Sequence, residues 1–353
     1  MLYHSFIYVA LSAFVLYKIS INVISERRKN KISFGDDGNR TLMRRIRAQG
    51  NFIEYTPIFL ISLIGIEWIG YEKNIPYYLI YVHFFGIIFI LCFLFYSNLL
   101  VGQSYHIFLT YNILNYENED DREDDYITVL GYVEPDIIII QEIVGEDGFN
   151  HFQSDVLDIF AAGEWSGATF INQSASIDIA LFYRHDVFSF ISTDLVNTAQ
   201  SAGTRDVVEW IMEHNDSGVQ FNVYGVHLKA SSNPPNPQTR LAEATILRDY
   251  LNDLPAGSHF IVAGDFNIYS NSSASEPAFE MLTGEGDDDD GRLFDPVDRI
   301  GHWHNNGSFA DVHTQSPRSG NYGGMDDRFD WIFVSEAVLS ETYEINIVIE
   351  KRR

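Results

Sequence analysis

The sequence predicts two physically different parts. Residues 1–102 read as an α-helical membrane domain, and residues 103–353 as an α+β domain of layered sheets flanked by helices. Three observations predict this. Charge divides sharply: residues 1–100 carry ten Lys and Arg against six Asp and Glu, whereas residues 101–353 carry 13 against 43, a net of −30. The long apolar stretches lie in the first part. In the second part, runs rich in Ile, Val, Phe and Tyr outnumber helical patterns. A length of 353 residues suits two domains, or one large domain with an appendage. The single cysteine, Cys92, lies in an apolar run, which excludes an intramolecular disulfide and a cysteine-based zinc site.

The membrane part reads as three spans. Residues 2–24 are apolar, with Lys18 as the main flaw, and residues 75–102 hold no Lys, Arg, Asp or Glu. Between them IFLISLIGIEWIG (58–70) is short and contains Glu67, so it crosses only with help from flanking residues and packing around that acid. Basic residues follow the first apolar run rather than precede it, which disfavours a cleaved signal peptide. The Arg- and Lys-rich segment 26–47 reads as a cytoplasmic loop. Three spans then place residues 103–353 in the cytoplasm, and two spans place them on the other side.

RAQGNFIEYTP (47–57) resembles the MAPEG family through Arg47, Asn51, Glu54 and Pro57. His83 resembles the histidine of that family's third helix, although Ile80 stands where an arginine is often found. The resemblance implies a helical membrane fold that oligomerises and binds glutathione. With no fourth span read after residue 102, the expectation is a truncated MAPEG-like domain that contacts the bilayer and supports an oligomer. The plainer reading is that Asn51 and Glu54 satisfy each other or Arg47 inside the bundle.

In the second part HIFLTYNIL (106–114), DIIIIQEIV (136–144), SIDIALFYR (176–184), FNVYGVHLKA (221–230), HFIVAGDFNIYS (259–270) and DRFDWIFVS (327–335) read as strands. FNHFQSDVLDIFAA (149–162) is a helix candidate. TRLAEATILRDYLND (239–253) is the best amphipathic helix, with Leu241, Ala244, Ile246, Leu247 and Tyr250 as its apolar side. The acidic runs 117–125 and 287–290 read as solvated surface, and they lack a calcium-loop pattern.

Polar residues recur at the ends of these strands: Asn112 after LTY, Glu142 after IIIIQ, His227 after VYGV, Asp265 and Asn267 after VAG, and Asp330 in RFDWIF. Asp265 and Asn267, two apart, are expected to face one way and Phe266 the other. Half-buried carboxylates are costly unless paired or bound to metal. Several meeting at one sheet edge would make a hard-oxygen site suited to Mg²⁺ or Mn²⁺. Each residue also has a structural role open to it. Asn112 can cap a turn, Glu142 can pair with Arg184 or Lys229, His227 can be a satisfied core histidine, Asp265 and Asn267 can end their strand by capping a turn, and Asp330 can hold Arg328 or a backbone amide. Tyr183 and Arg184 are candidate substrate contacts, with a strand-end salt bridge equally open.

TYN, QE, VHLKA, GDFN and RFDWIF resemble, in order, the motifs of the endonuclease/exonuclease/phosphatase superfamily, the fold of deoxyribonuclease I. The resemblance covers residues 106–335 and implies a four-layer α/β sandwich. It also implies metal-dependent hydrolysis of phosphodiester bonds, endonuclease-like in character. By that resemblance Glu142 is the principal metal carboxylate, with Asn112 positioning metal or phosphate. His227 binds phosphoryl oxygens, Asp265 orients or deprotonates the attacking water, Asn267 stabilises the transition state, and Asp330 lies close by. Asp311 and His313 are expected at the rim without a catalytic role.

The family's closing Ser-Asp-His motif has no match after Asp330, so the expectation is a sandwich lacking its last strand or strands. The −30 charge argues against tight non-specific binding of duplex nucleic acid. Lys229, Arg240, Arg318 and Arg328 are the candidates for a local basic patch, with Lys229 a candidate substrate contact. The expected partners are nucleic acid or another phosphodiester. The competing readings are a catalytically impaired, membrane-anchored phosphate- or partner-binding protein, and a phospholipid or inositol-phosphate phosphoesterase.

Overall fold

The computed structural model describes residues 3–29, 40–73, 106–117, 121–314 and 324–340. The chain divides into two compact units, residues 1–105 and 106–353.

In the first unit, helices α1 (Tyr3–Lys29) and α2 (Arg40–Glu72) pack against each other. The Glu67 carboxylate accepts from the Ser5 amide at 2.7 Å, Gln49 donates to Ser20, and Arg45 donates to the Asn22 carbonyl. These pairs fix the two helices as antiparallel. Residues 5–25 of α1 form a 21-residue stretch apolar enough to cross a bilayer, with a mean hydropathy of 1.8 in its 18-residue window. Among the described residues no second helix meets that measure, because the apolar stretch of α2 is only Phe59–Ile69. The basic segment 26–47 is not one loop. Its ends belong to α1 and α2, since Arg and Lys are good helix formers. The expected third span, with His83 and Cys92, lies outside the described residues, as do the side chains of Arg47, Asn51 and Glu54.

The second unit is a mixed α/β domain with two sheets. One has the order β1 (Phe108–Tyr116), β2 (Ile137–Ile143), β4 (Asp178–Arg184), β3 (Trp165–Gly167). The other runs in chain order: β5 (Phe188–Val196), β6 (Val207–His214), β7 (Gln220–His227), β8 (Phe260–Asp265), β9 (Asp330–Val334). The pairs β1–β2 and β7–β8 are parallel, and the rest are antiparallel.

The unbroken run Ile137–Ile140 follows from burial on both faces. Ile137 and Ile139 join Leu181, Trp210, Met212 and Ala263 in a core shared by both sheets. Ile138 and Ile140 pack outward on Tyr126 and Leu130 of α3 (Glu123–Val133), and on Phe152 and Val156. Those last two belong to a helical run made of α4 (Gly145–His151), a π-helical stretch (Phe152–Leu157) and a closing turn (Asp158–Phe160). The second sheet's outer face packs on Ala244, Leu247 and Leu251 of α5 (Asn236–Asn252), and on Phe279 and Leu282 of α6 (Pro277–Thr283).

The acidic run 117–125 is not all solvated loop. Glu123, Asp124 and Asp125 form the first turn of α3, where the helix dipole favours negative charge. The segments after residue 340 and Arg318 lie outside the described residues.

Gly264 has a structural reason. Its φ is 149°, and a Cβ there would fall 1.9 Å from the carbonyl oxygen of Val226 on the neighbouring strand. Gly264→Ala is therefore expected to lower unfolding free energy by about 3 kcal/mol or more, read by denaturant titration.

Candidate active site

The strand pairings line up the site. In Cα register, His227 of β7 pairs with Asp265 of β8, which pairs with Asp330 of β9. Three chemistry-bearing residues thus stand side by side at one edge of the second sheet. The first sheet adds Asn112, whose partner across β1–β2 is Gln141, and Glu142, the next residue.

Glu142 is re-aimed by the backbone. It has φ 67°, and the β2–β4 register shifts between Gln141 and Ile143. Regular alternation would set it on the face of Ile138 and Ile140. The bulge turns it away from that apolar packing. The Asn112 amide then ties the sheets together. Its Nδ2 donates to Glu142 Oε1 at 2.8 Å and to Asp265 Oδ2 at 3.1 Å, and its Oδ1 accepts from the Leu114 amide at 3.0 Å.

Asp265 Oδ1 accepts from the Asn267 amide at 3.0 Å. Asn267 has φ 51°, and its side chain donates to the Leu228 carbonyl at 3.2 Å. Phe266 points the other way, into the core beside Phe333. His227 is buried, 6% exposed, with Nε2 3.9 Å from Asp265 Oδ2 and a buried Nδ1 that has no hydrogen-bond partner. The Asp330 amide donates to Thr314 Oγ1, and its buried Oδ1 has no partner.

Crowding of carboxylates sets the electrostatics. Burial, with the Glu142 charge, pushes Asp265 up to about 6 against the hydrogen bonds from Asn112 and Asn267 and the nearby Arg205. Burial and the charges of Asp265 and Glu142 push Asp330 well above the usual carboxylate range. Burial and Arg205 hold His227 well below its ordinary value, so its imidazole is neutral at neutral pH.

The structure brings together Asn112, Glu142, His227, Asp265 and Asp330, with Asn267 adjoining. It does not bring Tyr183 and Arg184. Strand β4 runs antiparallel to β2, so Tyr183 pairs with Ile137, roughly 17 Å along the strand from Glu142. Tyr183 packs in the core between the sheets, and Arg184 pairs with Glu164 at 2.8 Å and Asp186 at 3.3 Å. The expected basic patch also dissolves. Arg240 is buried against Glu276, and Arg328 against Asp295. Lys229 is half-buried, its amide donating to Glu243 Oε2 and its carbonyl accepting from Arg240. His313 is a packing residue, with both ring nitrogens at backbone carbonyls. His304 is held by Asp327 through Nδ1 at 2.8 Å.

Sequence reading missed Arg205, whose guanidinium donates to the His227 carbonyl at 3.3 Å. It also missed Asp178, buried at the start of β4 opposite Ile143. Both flank strands whose alternation was the available signal.

A family model for the Endonuclease/Exonuclease/phosphatase family matches residues 109–350. The chain belongs to that family. Membership in the Endonuclease/Exonuclease/phosphatase family supports phosphoester hydrolysis as its general chemistry. A model for the MAPEG family matches residues 5–108, so a MAPEG-like segment precedes the hydrolase-type domain. The inner membrane protein YecN of Escherichia coli is 37% identical over 68 residues, 19% of this chain and 52% of that protein. The chain thus spans about half the length of this relative. The human Nocturnin catalytic domain with bound sulfate aligns at TM-score 0.45 and 20% identity, covering 64% of this chain and 80% of that one. A mannosyl-6-phosphatase of Bacteroides thetaiotaomicron aligns at 0.46 and 16%, covering 66% and 86%.

Proposed function

We propose that residues 103–353 form a Mg²⁺-dependent phosphodiesterase of four layers, attached to a membrane through the MAPEG-like residues 1–102. The observation that carries this reading is the Asn112 amide, which joins Glu142 of one sheet to Asp265 of the other.

The donor set suits a hard cation. Three carboxylates, Glu142, Asp265 and Asp330, are crowded enough to raise the last two, and Asp330 leaves a buried oxygen without a partner. Among the described residues no group of three or more His, Cys, Asp or Glu is placed so that it could hold a metal ion by itself. A Mg²⁺ ion, which keeps several waters, would need only one or two protein carboxylates. Glu142 would hold it, with Asn112 beside. When bound, the ion would polarise a phosphoryl oxygen and offset charge formed in displacement.

The chain's own residues do the rest. Asp265 is the base that takes a proton from the attacking water, and burial makes it more basic than a free carboxylate. Neutral His227 donates to a phosphoryl oxygen and stabilises its growing charge. Asn267 holds the Asp265 carboxylate in place through its amide and anchors the chain after His227 through Leu228.

For the substrate, Arg240 and Arg328 are consumed by buried ion pairs, which weakens the case for duplex nucleic acid. Single-stranded nucleic acid and phospholipid or inositol-phosphate headgroups remain the candidate classes. A second reading is phosphate binding without turnover. Oligomerisation through residues 1–102 and a cytoplasmic catalytic domain complete the proposal.

The test is a panel of oligonucleotides, phospholipid vesicles and inositol phosphates, given to full-length protein in detergent with Mg²⁺ or with EDTA. Hydrolysis of one class, removed by EDTA and reduced about 10²-fold or more in Glu142→Gln, is expected. Binding without hydrolysis in every class would replace this reading with the second one.

A further inference from the structure

Arg205 stands two residues before β6, and its guanidinium reaches the carbonyl of His227, the first of the row His227, Asp265 and Asp330. Its residue is 9% exposed, and its Nε is buried with no hydrogen-bond partner. Among the described residues its guanidinium makes a single hydrogen bond, from Nη1 to the His227 carbonyl at 3.3 Å. An arginine buried this deeply, with a donor unused, needs a compensating anion. Four carboxylates supply it: Glu142 of β2, Asp265 of β8, Glu243 of α5 and Asp178 of β4 all act on its charge.

We propose that Arg205 is the resident counter-charge of the site, a positioning residue that steadies Glu142 and Asp265 and sets how tightly the site takes a divalent cation. The inference rests on the metal-dependent reading above. The physical argument is a competition. One fixed positive charge inside a carboxylate cluster relieves repulsion while no divalent ion is bound, and repels that ion when it arrives. Removing the charge must therefore tighten metal binding. A residue that merely supported the fold would loosen it when removed, because the ligands would lose their places.

The experiment is direct Mn²⁺ titration of full-length protein in detergent, followed by the spin-resonance signal of free Mn²⁺ at pH 8. The variants are Arg205→Gln, Arg205→Met and Arg205→Lys, each checked for cooperative thermal unfolding. Gln keeps a polar amide donor in place of the charge, which guards against a variant that fails to fold. Arg205→Gln is expected to lower the Mn²⁺ dissociation constant about tenfold, and Arg205→Lys to stay within about threefold of wild type. Unchanged or weaker Mn²⁺ binding in folded Arg205→Gln would overturn the role of Arg205 and leave the metal reading standing. No Mn²⁺ binding by any protein, wild type included, would overturn both.

Discussion

Asp265→Asn is expected to lose phosphodiester hydrolysis by about 10²- to 10⁴-fold in kcat while the protein becomes more stable at pH 8. The two effects share one cause. Burial and the Glu142 charge raise Asp265 from 3.8 to about 6 in the folded state. A carboxylate raised on folding costs stability wherever it is ionised, so the penalty is complete above about pH 6. It fades as pH falls through 6 and is gone below 3.8. A shift of about two units corresponds to roughly 3 kcal/mol at most, with the opposing effects of Asn112 and Arg205 already included. Wild-type protein should therefore gain stability between pH 8 and pH 5, and the Asn variant should show a shallower change. Asp330 sharpens the contrast, because removal of the Asp265 charge lowers its own raised value. Thermal unfolding at the two pH values measures this.

Arg240→Met is expected to produce the largest loss of stability, about 3–5 kcal/mol and a fall in Tm of about 10 °C. Arg240 is fully buried. Its Nη2 donates to both Glu276 oxygens, at 2.7 and 2.8 Å, and its Nη1 donates to the carbonyls of Lys229 and Ser231. Losing one partner leaves a bare carboxylate in the interior and unpins the chain just after His227. The double variant Arg240→Met with Glu276→Leu should recover most of the stability, since neither charge remains to be compensated. Activity should not recover with it, because the two carbonyls still lack their donor. Calorimetry with a hydrolysis assay on the same samples separates the effects.

The sequence made the ends of the strands legible. IIIIQE, VYGVH and VAGD each run apolar residues into a polar one, and register then sets His227, Asp265 and Asp330 side by side. It could not show the bulge at Glu142, because φ 67° leaves no mark on residue type. Tyr183 and Arg184 were misplaced for a topological reason. Antiparallel pairing sends the polar end of β4 away from the polar end of β2. Arg240 and Arg328 looked like a surface patch because composition cannot tell a solvated arginine from one paired with Glu276 or Asp295. Strands β5 and β6 went unread, and Arg205 was lost with them. In the first unit, hydropathy located the apolar core of α1, but helix propensity carried both helices into the basic segment between them.

The most direct test is turnover of bis(p-nitrophenyl) phosphate by purified full-length protein, with Mg²⁺ or EDTA, beside Asp265→Asn. The diester needs no basic surface and no particular leaving sequence, so it reads the chemistry of the site alone. The account predicts hydrolysis with Mg²⁺, none above background with EDTA, and about 10²-fold less or lower still in folded Asp265→Asn. Turnover that persists in EDTA and in Asp265→Asn, or no turnover by folded wild-type protein with Mg²⁺, would contradict it.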